Sequence, residues 1–124
     1  MIRLSKEQVL LLHRLLISQS GGSHGVRDEG SLDSSLNAPF QTFNNEYVYK
    51  SIYIIASKLA YFLVDNHPFV DGNKRIGILV MITFLEINGI TVEASDQELI
   101  DLGIGLADKS ISSDDLIIWV ISHT

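Results

Sequence analysis

The sequence predicts an all-α fold, a compact helical bundle arranged round one central buried helix at about residues 73–88. Three observations carry that prediction. Apolar residues recur at helical spacing through most of the 124-residue chain. Ser5-Lys6-Glu7-Gln8 and Ser95-Asp96-Gln97-Glu98 are capping boxes, the pattern that opens a helix by satisfying its first free N–H groups. Ile76 to Ile87 is apolar on nearly every side, as befits a helix enclosed by others.

Taken in order, the first capping box starts a helix over residues 5 to about 19, with Val9, Leu12, Leu15 and Leu16 at helical spacing. His13 lies among these leucines and reads as a partly exposed structural residue, since a lone histidine defines no site. Gly21-Gly22 ends the helix. The polar stretch Ser23-His24-Gly25-Val26-Arg27-Asp28-Glu29-Gly30 reads either as a plain surface loop or as a flap that closes over substrate, with Arg27 or His24 touching it. A short helix at Ser31 to Leu36 stops at Pro39, and residues 40–46 read as a polar loop. Val48, Ile52, Ile55, Ala56, Leu59, Ala60 and Leu63 mark a helix from Tyr47 to about Asn66. After the central helix, Asn88-Gly89 forms a stop and the β-branched run at Ile90 to Glu93 suggests an extended piece. The second capping box opens a helix to about Lys109. Ser112 to Asp115 caps a last one ending near Ser122, with Trp119 as a core anchor or an interface residue.

Composition narrows the function. There is no linker, repeat or low-complexity stretch, so residues 1–124 read as one domain. The absence of cysteine excludes disulfides and thiolate metal sites. A net charge of −6 disfavours direct nucleic-acid binding. No apolar run is long enough to span a membrane, and the first residues lack a signal peptide's apolar stretch, so a cytoplasmic protein is expected.

The chemistry concentrates in His67-Pro68-Phe69-Val70-Asp71-Gly72-Asn73-Lys74-Arg75. Pro68 keeps His67 out of the α-helical region, Gly72 allows a sharp turn, and Asn73 is a good N-cap for the central helix. The stretch therefore aims free N–H groups and the positive end of a helix dipole at one point, an arrangement suited to phosphate. His67 carries an imidazole, a side chain suited to act as a general base. Asp71 can hold Mg²⁺, which takes oxygen ligands and is often shared between a carboxylate and phosphates. Gly72 and Asn73 offer backbone N–H groups, and Lys74 and Arg75 can neutralise phosphate charge. Singly, each has an ordinary alternative: a helix-end histidine, a turn aspartate, a solvated basic pair. Together they are the parts of phosphoryl or nucleotidyl transfer.

The pattern His-x-Phe-x-Asp-Gly-Asn-Lys-Arg resembles the signature of the Fic/Doc superfamily in its Doc, or death-on-curing, form. Seven fixed positions match by chance in about one window in a billion at uniform residue frequencies. The segment Gly21-Gly22…Gly25-Val26-Arg27-Asp28-x-Gly30 also looks like the Doc-type stretch ahead of the central helices. The resemblance implies that His67 is the catalytic base, that Asp71 binds Mg²⁺, and that Gly72, Asn73, Lys74 and Arg75 hold nucleotide phosphates. Fic proteins typically transfer AMP to a protein hydroxyl. Their motif has Gly where this chain has Lys74, and often a second Arg where it has Ile78. Lys74 crowds the cradle that Gly leaves open, and the missing Arg removes a clamp. Doc-type proteins share the Lys and are similar to kinases that move the γ-phosphate of ATP. Their known target is a translation factor, elongation factor Tu, whose phosphorylation arrests translation. The implied function is thus a toxin that is a protein Ser/Thr phosphotransferase, with AMP transfer or a non-catalytic binding module as alternatives. Thr42-x-x-x-Glu46 is followed by Tyr47, so the inhibitory helix that many Fic proteins carry is not expected. The resemblance implies instead a Phd-like antitoxin whose tail folds into a hydrophobic groove; the sequence does not locate that groove, and the N-terminal helix is one candidate for a wall.

Overall fold

The computed structural model describes residues 1–124. Six α-helices run in the order α1 (Lys6–Ser20), α2 (Glu29–Asn37), α3 (Ile52–Asn66), α4 (Asn73–Ile87), α5 (Asp96–Ala107) and α6 (Ser113–Ser122). A single 3₁₀ turn (Ala38–Phe40) and a two-residue-per-strand hairpin, β1 (Thr42–Phe43) with β2 (Glu46–Tyr47), lie between α2 and α3. The caps read from the sequence form: Ser5 with Gln8 and Ser95 with Glu98 are reciprocal boxes, and Ser112 with Asp115 makes a third.

The core lies between α3 and α4. Helix α4 buries Ile76, Ile78, Val80, Met81, Phe84 and Leu85, and packs on α1, α3 and α5. Helix α3 buries Ile55, Leu59, Leu63 and Val64, and reaches α2, α5 and α6 as well. The two meet closely at Gly77. A Cβ there would sit 2.9 Å from Val64 Cγ2 and 3.1 Å from the Ala60 carbonyl oxygen. The glycine lets the helices approach, and their separation sets where the ends of both helices fall.

Some expectations shift. Most of the stretch read as a loop is a hairpin over residues 42–47, turned by Asn44 and Asn45, both at positive φ as its two-residue turn requires. Helix α3 starts at Ile52 rather than Tyr47, because β2 takes Glu46 and Tyr47 and Ser51 caps the helix. The run at Ile90 to Glu93 forms neither helix nor paired strand, and the Glu93 N–H donates to the carbonyl of His123. Trp119 is half-buried and stacks on the His123 ring, with centroids 3.9 Å apart. No helix is long and apolar enough to cross a membrane.

Candidate active site

The loop between α3 and α4 carries the motif. Helix α3 stops because Pro68 denies His67 the right-handed helical region. His67 takes left-handed angles instead, φ 47° and ψ 55°, at a cost of about 1–2 kcal/mol for a residue with a Cβ. Its imidazole is exposed and makes no hydrogen bond within the protein. The next residues turn inward. Phe69 is fully buried and stacks on His13 of α1, ring centroids 3.8 Å apart and planes 11° from parallel.

Asn73 fixes this loop from the far side. Its Nδ2 donates to the Phe69 carbonyl and its Oδ1 accepts from the Phe69 N–H, both at 3.0 Å and both buried. The sequence suggests Asn73 as the N-cap of α4. The cap is instead Gly72, in the left-handed region at φ 79° and ψ 18°, and Asn73 is the first helical residue. A side chain at 72 would pay the left-handed penalty and put a Cβ 3.0 Å from Ile17 Cδ1. With the cap position given to glycine, the Asn73 amide is free to clamp the loop.

Asp71 follows on the exposed side. One carboxylate oxygen accepts from the Ser23 N–H at 3.0 Å and the other from the Gly72 N–H at 2.8 Å. These two bonds, the Ser23 one first, hold its carboxyl below the ordinary range, so it is ionised. The Asp71 carbonyl faces His13 Nε2 at 2.8 Å. A carbonyl only accepts, so Nε2 carries the proton. The sequence pattern suggests a partly exposed His13. It is 2 % exposed, and burial pushes its imidazole below the ordinary value. The structural role read from the sequence holds; what the sequence misses is its burial and its tie to the motif loop.

Helix α4 begins beside Asp71. The N–H groups of Asn73, Lys74 and Arg75 have no partner in the protein, as the first N–H groups of a helix lack intrahelical acceptors. Lys74 is exposed, and its amine has no partner either. Arg75 is partly engaged: Nη1 donates to Ser20 Oγ at 2.7 Å and to the Gly21 carbonyl at 2.8 Å, and Nη2 lies 3.9 Å from Asp71. A groove of about 770 Å³ opens from these two cations between α1, α4 and α5, floored by residues such as Ile78, Ile82 and Leu99. Ile78, where many Fic proteins have a second Arg, is buried.

The segment ahead of α2 is fastened to the motif rather than loose. Val26 and Phe69 form an antiparallel bridge, and the Val70 N–H donates to the Gly25 carbonyl. The N–H groups of Arg27 and Asp28 both donate to the Pro68 carbonyl. The Arg27 side chain donates to the carbonyls of His67 and Asn66. The structure thus joins Asp71, Gly72, Arg75, Ser23 and His13 in one contact network. His67 and Arg27 attach to it through the backbone, and Lys74 stands at its edge.

These residues fit a bound anion and a divalent cation. Three unpartnered N–H groups at a helix start, with a free amine beside them, complement phosphate oxygens. An ionised carboxylate with both oxygens fixed by N–H donors, yet retaining lone pairs, suits Mg²⁺ shared with phosphates.

Comparison with known proteins gives a consistent picture. The sequence model of the Fic/DOC family matches residues 3–85. Over 74 residues the chain is 39% identical to "Toxin Doc" of Mycolicibacterium smegmatis, which covers 60% of this chain and 57% of that protein. Over 117 residues it is 29% identical to "Protein kinase doc" of Escherichia phage P1, covering 90% and 87% respectively.

Proposed function

We propose a function from one premise: the chain belongs to the Fic/DOC family. The protein is a Doc-type toxin of a toxin–antitoxin pair, acting in the cytoplasm. It is a kinase that moves the γ-phosphate of ATP to a Ser or Thr hydroxyl of a translation factor, elongation factor Tu, and so arrests translation. The names of the two relatives, a toxin and a protein kinase, support this reading. The observation that carries it is the row of unpartnered N–H groups at Asn73, Lys74 and Arg75 beside an ionised Asp71, on the loop that also bears His67.

His67 takes the target hydroxyl's proton onto a ring nitrogen, for which its lack of any protein partner leaves it free. The N–H groups of α4 and the Lys74 amine bind phosphate oxygens, with Gly72 giving the turn that aims them. Arg75 is oriented by Ser20 and Gly21, so its charge is fixed before anything binds. Asp71 would hold Mg²⁺, which when bound would neutralise part of the phosphate charge.

The groove is the place for the antitoxin tail. Its apolar floor suits the buried face of an amphipathic helix. It ends at Lys74 and Arg75, so a tail lying in it competes for the cations the phosphates need. A Phd-like protein with a disordered tail is the expected partner.

The test is the intact mass of elongation factor Tu after incubation with the protein, Mg²⁺ and ATP. A gain of about 80 Da that is lost with His67→Ala is the expected result. A gain of about 329 Da would reassign the site to AMP transfer. Undiminished growth arrest by His67→Ala would move the protein to the non-catalytic class.

A further inference from the structure

We infer that Arg27 is a positioning residue for His67, holding it in its left-handed conformation, and is not a contact for substrate. The functional half of this inference rests on the proposed role of His67 as base; the structural half does not.

The end of α3 is unusual. The last carbonyls of any α-helix lack intrahelical partners. A helix that ends on a left-handed residue usually closes itself, with the N–H groups of that residue and the next folding back onto the last turn. Here the next residue is Pro68, which has no N–H. His67 itself makes no closing bond, whereas the residues that cap α1, α4, α5 and α6 do. The end of α3 is therefore an open one, carrying a non-glycine residue in an unfavourable conformation.

Arg27 supplies what the chain cannot. Its Nη2 donates to the Asn66 carbonyl at 2.9 Å, its Nε to the His67 carbonyl at 2.6 Å, and its backbone N–H to the Pro68 carbonyl at 2.8 Å. One residue thus satisfies three consecutive carbonyls across the turn. Ser31 also reaches Asn66, and the Asp28 N–H also reaches Pro68. The His67 carbonyl has Arg27 as its one partner. The guanidinium also lies at the negative end of the α3 dipole, where a cation is favoured. The Val26–Phe69 bridge sets Arg27 opposite Pro68, so the fork arrives already aimed. With Nε and Nη2 both bonded to the turn, the exposed side chain braces the motif from its outer side.

The experiment compares Arg27→Lys and Arg27→Ala with wild type by two readouts. The first needs no ligand: the intraresidue HN–Hα nuclear Overhauser effect of His67, strong at positive φ and weak in extended backbone. It should weaken in both variants, because lysine lacks the rigid fork that sets Nε and Nη2 against two separate carbonyls, and alanine bridges none. Arg27→Lys keeps the charge and the backbone bond, so it guards against simple unfolding. The second readout is transfer. We expect kcat to fall about 100-fold with KM for ATP and for the protein target unchanged, as for a displaced catalytic group. Added guanidinium should restore part of the Arg27→Ala loss. An unchanged His67 effect in folded variants overturns the inference, whatever the activity. A rise in KM for the protein target at unchanged kcat also overturns it, and makes Arg27 a substrate contact. Absence of transfer in wild type would sink the proposed function while leaving the first readout to decide this one.

Discussion

Asn73 illustrates how one side chain decides the shape of the site. Both polar ends of its amide are spent on the two polar groups of the Phe69 backbone, in a buried position. Asn73→Ala leaves that N–H and carbonyl without partners, and an unpaired buried polar group costs about 1–3 kcal/mol. We therefore expect Asn73→Ala to lower stability by about 3 kcal/mol, read as a fall in the urea midpoint at unchanged slope. Asn73→Asp keeps the acceptor and loses the donor, so it should fall between the two. Equal midpoints for all three proteins would refute the clamp. At this scale the sequence is informative about chemistry and less so about geometry. The motif alone puts His67 and Asp71 on one loop and the basic pair at the start of the helix that follows. It does not say that glycine takes the cap and frees Asn73. The burial of His13 escapes notice for a different reason. The buried face of α1 is Val9, His13 and Ile17, an i, i+4, i+8 row, whereas the leucines at 12, 15 and 16 draw attention to the neighbouring face. The row is present in the sequence; only the partner carbonyl, on Asp71 far along the chain, is not.

Between elements, the α3–α4 contact matters most, because the motif loop joins the two helices and inherits their separation. Gly77→Ala adds a methyl 2.9 Å from Val64 Cγ2 and 3.1 Å from a backbone oxygen that cannot rotate away. Overpacking of that kind costs about 1–3 kcal/mol, and we expect the urea midpoint to fall correspondingly. No fall would mean that the helices separate freely. The helix caps make a second prediction. Glu98 accepts from the Ser95 N–H in its capping box and also meets His123 Nε2 at 2.9 Å, tying α6 to the start of α5. The Ser95 N–H first, then His123, hold its carboxyl below the ordinary value of 4.5. A carboxylate whose folded pKa is depressed contributes stability that is full above 4.5 and is lost as pH falls through the lower folded value. Glu98→Gln should flatten the acid limb of a stability-versus-pH curve below that value; an unaltered limb would count against the cap. Caps of this kind are legible because Ser-x-x-Glu is a local code. The hairpin is not, since its strands are two residues each and pairing depends on the turn at Asn44 and Asn45.

The groove belongs to the whole molecule. Its lining comes from Leu16 of α1, Ile78 and Ile82 of α4, and Leu99 and Ile100 of α5, stretches that nothing in their local patterns connects. Only the packing of three helices brings these residues to one groove. Ile100 is 55% exposed on its wall, so it contributes little to the core and can be changed without unfolding the protein. Ile100→Asp is expected to leave stability within about 0.5 kcal/mol of wild type. It also leaves the motif loop untouched, so phosphoryl transfer should persist. Docking of an apolar tail would bury the new carboxylate without a partner, at a cost of about 3 kcal/mol, or roughly 100-fold in Kd. Calorimetric titration with a synthetic antitoxin tail measures that change directly, and in cells the variant should arrest growth even when the antitoxin is co-expressed. An unchanged Kd would place the tail on another surface. It would also remove the reason for thinking that a bound tail competes at Lys74 and Arg75, where the groove meets the phosphate site.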